Sequence, residues 1–303
     1  MQDIQYYYNY FFKNQNTSLP FAMELDSGVL GPHVMFVGGT HGSEPAGVIA
    51  GVEIHKILNS GGVKPKQGKV TFVLGNPEAF VNGQRFIEKN LNRAFSEEIS
   101  DNLEGLRAQE FRDYFVAQKV DYLIDLHSVS VGDIQMVIYF HNSNTQKVAM
   151  EFSPIGTHLL ANAEVIPGTL VEEINRFGGQ GFAIECGNHN DPKTVKVAGY
   201  HIISCMRYFG LVEYTDFELP DLDIAKEVYT YEVFDIIKPQ LDFKFVDQNV
   251  TTGTFVKEGE IFVNYQGGEY KAIQDLYVVM PDLRPNIKDH DAGFLCTREV
   301  SVR

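Results

Sequence analysis

The sequence is poor in cysteine, poor in basic residues and without a long apolar run, and each shortage removes a class of protein. Its three cysteines, Cys186, Cys205 and Cys296, are odd in number and widely spaced. Neither a disulfide framework nor a Cys-x-x-Cys metal knuckle is indicated, and small core residues are the simpler reading. Lys and Arg number 25 against 40 Asp and Glu, a formal net charge of -15. Phosphate binding needs clustered positive charge, so a general affinity for nucleic acid or an anionic membrane surface is excluded. Any anionic ligand must be met by a local arginine or lysine. Nowhere do eighteen apolar residues run together, and the opening MQDIQYYYNYFFKNQ lacks the basic start, leucine-rich stretch and cleavage site of a secretory leader. A soluble, cytoplasmic protein is expected, with homo-oligomer formation left open. Internal repeats and low-complexity segments are absent as well.

What is present is enough apolar residue, 44% of 303, for a sizeable core. From about residue 30 to 212, short apolar runs alternate with longer helical patterns, the signature of an α/β sheet covered by helices. Expected strands are HVMFVG (33–38), KVTFVLG (69–75), DYLIDLH (121–127), IQMVIYF (134–140) and GFAIECG (181–187). Apolar residues at three- and four-residue spacing predict helices over 46–60, 103–118, 145–161 and 193–210. The aromatic run YYYNYFF reads most simply as an edge strand or packing surface. After Leu211 a polar linker, YTDFELPDLD, leads into short alternating runs rich in Val, Tyr, Phe and Gly. Residues 1–215 are therefore expected to form a catalytic α/β domain and 216–303 a small all-β domain. FVKEGE followed by YVVMP has the look of a lipoyl or biotinyl hairpin, but no lysine stands at the tip beside Met280, which argues against a carrier.

Three of the five expected strands end in residues that metals or protons need: His41 and Glu44 after HVMFVGG, His127 in YLIDLHS, and Glu185 in FAIECGN. Ligands of open α/β sheets bind in the crevice at the carboxyl ends of the strands, so these four can converge. His-x-x-Glu at the start of a helix turns both side chains toward one point, and glycines at 38, 39 and 42 permit a tight turn. Two histidines and a glutamate, with His127 as the second histidine, are one of the sets that hold a catalytic zinc with a position left open. The ligands would carry about -1 against +2 on the metal, which acidifies water for attack on a carbonyl. Glu185 is placed to act as the base and then the acid. In GQRFIEKNLNRAF, Asn92 and Arg93 form a polar pair with Arg85 seven residues earlier, and the two arginines are expected to supply the local positive field for a carboxylate or an oxyanion.

GGTHGSE, NLNRAF, DLHS and AIECG, in that order over about residues 34–190, resemble the succinylglutamate desuccinylase and aspartoacylase family, relatives of the zinc carboxypeptidases. The resemblance implies a zinc-carboxypeptidase-like mixed sheet flanked by helices with a smaller C-terminal β domain, and one zinc per chain on His41, Glu44 and His127. It also implies Glu185 as general base and acid, Arg85 polarising the scissile carbonyl, and Asn92 and Arg93 holding a substrate carboxylate. The reaction would be hydrolysis of a small N-acyl amino acid. Asn90 departs from the family, which often has an acid there. Arg176, in EEINRFGGQ, lies where some members carry a substrate-binding arginine.

Other readings of the same residues are simpler one at a time: an acidic first turn at a helix N-terminus for His41 and Glu44, a strand-end histidine for His127, surface ion pairs for Arg85 and Arg93. Asp125 lies on the same side of its strand as His127, where it either orients that histidine or, more simply, caps backbone groups. His189 and His33, His55, His141, His158, His201 and His290 read as solvated. Two competing functions are a zinc carboxypeptidase-like enzyme acting on short peptides or other amides, and a metal-binding protein without catalysis. The presence of both Glu185 and Arg85 speaks against the second.

Overall fold

The run HVMFVG has no polar side to turn toward water, and it is buried along its whole length. Val34 and Phe36 enter one apolar core while Met35 and Val37 enter another, so the strand must lie inside a sheet covered on both faces. A computed structural model describes residues 3–96, 100–130, 132–140, 143–152, 156–222, 228–237, 242–281 and 294–300. The elements of the first two thirds are α1 (Ile4–Asn14), β1 (Ala22–Asp26), β2 (His33–Gly38), α2 (Ala46–Asn59), β3 (Lys69–Leu74), α3 (Pro77–Val81) and α4 (Leu103–Ala117). They continue with β4 (Tyr122–Val129), β5 (Gln135–Phe140), α5 (Ser143–Phe152), β6 (Thr157–Ala161), α6 (Leu170–Arg176), β7 (Gln180–Asn188) and α7 (Lys193–Tyr208). The remainder is β8 (Tyr229–Ile237), β9 (Lys244–Phe245), β10 (Thr254–Val256), β11 (Ile261–Tyr265), β12 (Gly268–Lys271), β13 (Leu276–Val279) and β14 (Phe294–Val300).

The large sheet is mixed and 11-stranded, in the order β1-β3-β2-β4-β7-β5-β6-β8-β14-β13-β10. Its middle, β3-β2-β4-β7, is parallel, and β5 then runs antiparallel to β7. Helices α1, α2, α5 and α7 cover one face through Phe11, Val52, Val148 and Ile202. Helices α4 and α6 cover the other through Phe111, Phe115 and Ile174. Burying an apolar side chain of this size contributes roughly 1.5–3 kcal/mol, so the two cores fix the register of the central strands.

All five expected strands are present within two residues of their expected ends, as are the helices over 46–60, 103–118 and 193–210. The helical spacing over 145–161 hides a change of element: α5 ends at Phe152 and β6 takes its place in the sheet at Thr157, with Pro154 and Gly156 as the breaking signal in the sequence. Of the two readings of YYYNYFF, the packing surface holds and the edge strand does not: the run is the body of α1, with Tyr7, Tyr8 and Tyr10 packed against the core. Asp3 caps that helix by accepting from Tyr6 N at 3.0 Å, and tertiary packing of Phe11 overrides the β preference of the tyrosines. Strand β1 and the short helices α3 and α6 had no strong pattern of their own.

Every described element after Tyr208 is a strand, as expected for a small all-β part, yet the sheet does not stop there. Strand β8 pairs parallel with β6 and carries β14, β13 and β10 beyond it, while β12-β11-β9 form a second sheet. Phe243, Phe245 and Val263 centre a core of their own, and Met136, Leu159, Val233, Val279 and Leu295 form a bridge between the two parts. Among the described residues no helix is long and apolar enough to cross a membrane.

Candidate metal centre and active site

Strands β2, β4 and β7 lie side by side and end on one edge, with Gly38 opposite Leu126 and His127 opposite Glu185. Beyond Gly38 the chain reverses. Gly39 takes φ +70°, which a side chain would strain, and a Cβ on Gly42 would lie 2.1 Å from the Ala79 carbonyl carbon, so this turn is seated against α3. Glu44 N donates to His41 O at 3.0 Å. His41 and Glu44 therefore stand in a closed turn ahead of α2, not within its first turn as the spacing suggested. Pro45 then occupies the helix cap, where no donor is required.

His41, Glu44 and His127 are all buried, and one ligand atom from each lies within 4.8 Å of the other two. Nδ1 of His41 is 2.8 Å from Glu44 Oε1, and Nδ1 of His127 is 2.9 Å from Glu44 Oε2. The far nitrogens face acceptors: His41 Nε2 donates to Asn90 Oδ1 at 3.0 Å and His127 Nε2 to Asp125 Oδ2 at 2.8 Å. Asp125 is itself held by Thr40, whose hydroxyl donates to Oδ1 at 2.6 Å. With a proton on each Nε2, both Nδ1 lone pairs aim at a carboxylate. Three acceptors converging in this way require positive charge between them, either protons or a cation. Imidazoles fixed through their outer nitrogens are what a metal site needs, so the residues fit a zinc ion.

The electrostatics agree. Burial and the guanidinium of Arg85 lower His41 to about 4, so the ring is neutral at neutral pH, and with its one proton on Nε2 facing Asn90 the Nδ1 lone pair is left for a ligand. Burial opposes protonation of His127 too, but Asp125 and Glu44 outweigh it and hold its pKa well above the ordinary value. Burial likewise acts to raise Glu44, and the two imidazoles outweigh it and hold that carboxyl well below the usual range. The proton on His127 Nδ1 is the charge with which a metal would compete.

Glu185 stands beside this group, 6% exposed, with Oε2 lacking any hydrogen-bond partner among the described residues. Burial pushes it up to about 7, with His127 and Arg85 opposing and Glu44 and Asp125 assisting. A carboxyl with that pKa can take and return a proton near neutrality. Arg85 Nη1 donates to Glu44 Oε1 at 3.0 Å, and Arg85 O accepts from Gly42 N at 3.1 Å, which ties its loop to the histidine turn. Its side chain stays 39% exposed, open toward solvent.

Asn92 lies in a single 3-10 turn, Leu91–Arg93, with Nδ2 3.1 Å from His127 Nε2 and Oδ1 accepting from Leu170 N at 3.0 Å. Arg93 follows it, half-buried, with Nη1 donating to Asn92 O at 2.5 Å. Arg176 is not brought into the group. It ends α6, where its guanidinium meets Glu172, Glu173 and the Phe95 carbonyl.

Two residues carry more than the sequence suggested. Asp125 orients His127 rather than simply capping backbone, which the period-2 side of the strand could have decided. Asn90, visible only as a departure from the family, accepts from both His41 Nε2 and Asn92 N. Of the histidines read as solvated, His33, His55, His158 and His201 are buried, because each falls on the inward face of a strand or helix. His189 is half-buried, and His141 and His290 lie outside the described residues.

The architecture is that of solved desuccinylases. The structure of succinylglutamate desuccinylase from Vibrio cholerae matches with a TM-score of 0.74 at 18% identity, over 93% of this chain and 86% of that one. In sequence, residues 30–198, more than half of the chain, match the model of the succinylglutamate desuccinylase/aspartoacylase catalytic domain, and the chain belongs to that family. A probable aspartoacylase of Nostoc is 32% identical over 164 residues, 51% of this chain and 54% of that protein. Succinylglutamate desuccinylase of Pseudomonas paraeruginosa is 41% identical over 110 residues, 34% of this chain and 32% of that protein. These alignments span about half the length of the curated relatives, or less.

Proposed function

We propose that the chain is a zinc-dependent hydrolase that cleaves the amide bond of a small N-acyl amino acid, with one zinc per chain on His41, Glu44 and His127. The observation that carries this reading is the convergence of two outward-anchored imidazoles on one buried carboxylate, beside a second buried carboxyl raised to about 7. Zinc bound there supplies Lewis acidity, which acidifies water and polarises a carbonyl.

The chain's own residues do the rest. Glu185, ionised, takes a proton from the water that attacks the acyl carbon and returns it to the amide nitrogen as the C–N bond breaks. A carboxylic acid and a free amino acid leave. Arg85, exposed at the mouth of the site, donates to the carbonyl oxygen as it gains charge. Arg93, with Asn92 beneath it, holds the substrate carboxylate and supplies the positive field that the acidic chain otherwise lacks. We assign this chemistry to residues 1–215 and a supporting role to 216–303.

The test is elemental analysis of wild type and His41→Ala, with hydrolysis of a panel of N-acetyl and N-succinyl amino acids with and without chelator. The expected result is about one zinc per chain, lost in the variant, and turnover that disappears with chelator and returns with zinc. Wild-type protein that takes up no zinc, or takes it up and hydrolyses nothing on the panel, overturns the reading.

A further inference from the structure

Arg85, Asn90, Asn92 and Arg93 all lie on one connection, residues 85–93, which contains no strand and only one 3-10 turn. Such a segment has no ladder to hold it, so its main-chain donors must find partners elsewhere. One side chain takes three of them in a row. Glu104, in the first turn of α4, is 1% exposed. Its Oε1 accepts from Ile87 N at 2.7 Å and from Asn76 Nδ2 at 3.1 Å. Its Oε2 accepts from Glu88 N and Lys89 N, both at 3.1 Å.

All four donors are neutral, and among the described residues no ion pair to Glu104 is present. A buried carboxylate held only by N–H groups is satisfied by those groups together, so the segment and the helix start must keep one geometry. The clasp is reciprocal, since Glu88 Oε2 accepts from Leu103 N at 2.6 Å. Asn76 links it to the histidine turn: its Oδ1 caps α3 through Ala79 N, and α3 is the helix against which Gly42 is seated.

We propose that Glu104 is a positioning residue for the reaction: through the main chain of 87–89 it fixes Arg85 on one side and Asn90–Arg93 on the other over the His-Glu-His group. It touches no reacting atom. The proposal rests on the hydrolase reading for its kinetic consequence, but not for its structural one. Substituting the amide in Glu104→Gln sets an NH2 donor against main-chain N–H donors that have no other acceptor, so the segment loosens. None of the three triad residues is bonded to Glu104, and the segment reaches them through Asn90 at His41, Arg85 at Glu44 and Asn92 at His127, so with zinc supplied in excess the triad still fills while the segment over it loosens.

The experiment compares wild type, Glu104→Gln and Glu104→Asp in zinc content, amide hydrogen exchange over 85–93, and kcat and KM on whichever panel substrate the wild type hydrolyses. The expected result is zinc content like wild type and exchange at 87–89 faster by tenfold or more in Glu104→Gln. The same variant should show kcat/KM per zinc-loaded folded chain lower by roughly 10- to 100-fold, since small misplacements of catalytic groups cost about that much. Glu104→Asp, with the charge on a shorter arm, should fall between the two, and it stands in if the glutamine variant does not fold.

Unchanged exchange at 87–89 overturns the proposal, whatever the activity. Faster exchange with kcat and KM within twofold of wild type overturns the positioning role and leaves a purely structural one. Should the wild type hydrolyse nothing, the hydrolase reading fails on its own, and the exchange comparison still decides whether Glu104 holds the segment.

Discussion

The site is built from two halves held by different means. His127, Asp125 and Glu185 stand on β4 and β7, where each residue is paired across a parallel ladder, His127 with Glu185 and Asp125 with Ala183. His41, Glu44, Arg85, Asn90 and Asn92 stand on connections, and side-chain-to-main-chain bonds hold them: Ser128 N to Glu44 Oε2, Asn92 N to Asn90 Oδ1, Leu170 N to Asn92 Oδ1. A ladder residue shares its position with many neighbours, so changing one side chain leaves the backbone in place. A loop residue depends on a few bonds, and losing one moves the others. The strand half should thus respond to substitution locally, and the loop half collectively.

The largest effect expected from this contrast is at Glu185. Glu185→Gln is isosteric on a fully paired strand, so zinc content and Tm should stay near wild type while kcat falls by about 10³-fold, the order assigned to a positioned acid-base group. The pH profile carries the same signature. If Glu185 is the base, as proposed, it must be ionised, so kcat/KM rises with pH and levels off above its pKa, which burial puts at about 7 and a bound cation would lower. The glutamine variant should lack that limb. Loss of zinc from the variant would show that Glu185 belongs to the ligand set and break the local rule for the strand half.

How far the sequence reached follows the same division. The strand half was legible because a buried strand carries a period, and His127 and Glu185 fall at the ends of runs that no other element could explain. His41 and Glu44 are legible from three glycines and a short spacing, although that spacing alone does not separate a helix start from the closed turn that precedes α2. Asn90 and Glu104 were not. An asparagine in a loop and a glutamate in the first turn of a helix are each ordinary, and only the tertiary fold shows that one faces His41 and the other holds residues 87–89. The buried histidines escaped for a related reason. His201 sits on the inner face of α7, where desolvation lowers it to about 3, but a lone histidine carries no pattern to reveal its environment. The β8–β6 pairing, which continues the sheet into the C-terminal part, joins segments about seventy residues apart and had no local signal.

The two histidines sharpen the comparison further, because the strand histidine is backed by a carboxylate and the loop histidine by an amide. A carboxylate on the outer nitrogen raises the basicity of an imidazole, and losing such a partner costs about 10- to 100-fold in metal affinity. Asp125→Asn should therefore weaken zinc binding by about that factor, measured by competition with a chromogenic chelator. Asn90→Asp should act in the opposite direction at His41, tightening zinc by up to about tenfold. Equal and opposite shifts would mean that the two arms contribute alike and differ only in the partner behind them. If Asn90→Asp weakens zinc instead, the amide is serving the turn through Asn92 N more than it serves His41, and the loop half is collective in the sense argued above.

The smallest effect belongs to Arg176, which tests where the loop half ends. Helix α6 begins at Leu170, whose N–H holds Asn92, and ends at Arg176, six residues on. At a rise of about 1.5 Å per residue the helix carries Arg176 roughly 9 Å along its axis from that contact. The next strand, β7, starts at Gln180, five residues before Glu185, so α6 runs away from the site edge. At that far end the guanidinium is 43% exposed and paired with Glu172 and Glu173. Exposed ion pairs contribute about 0–1 kcal/mol, and Glu173 keeps a second partner in Arg112 at 2.5 Å. Arg176→Ala should lower stability by less than about 1 kcal/mol and leave kcat and KM within about twofold. A tenfold rise in KM with unchanged stability would mean that Arg176 leaves its ion pairs to meet the substrate, extending the loop half of the site to the far end of α6.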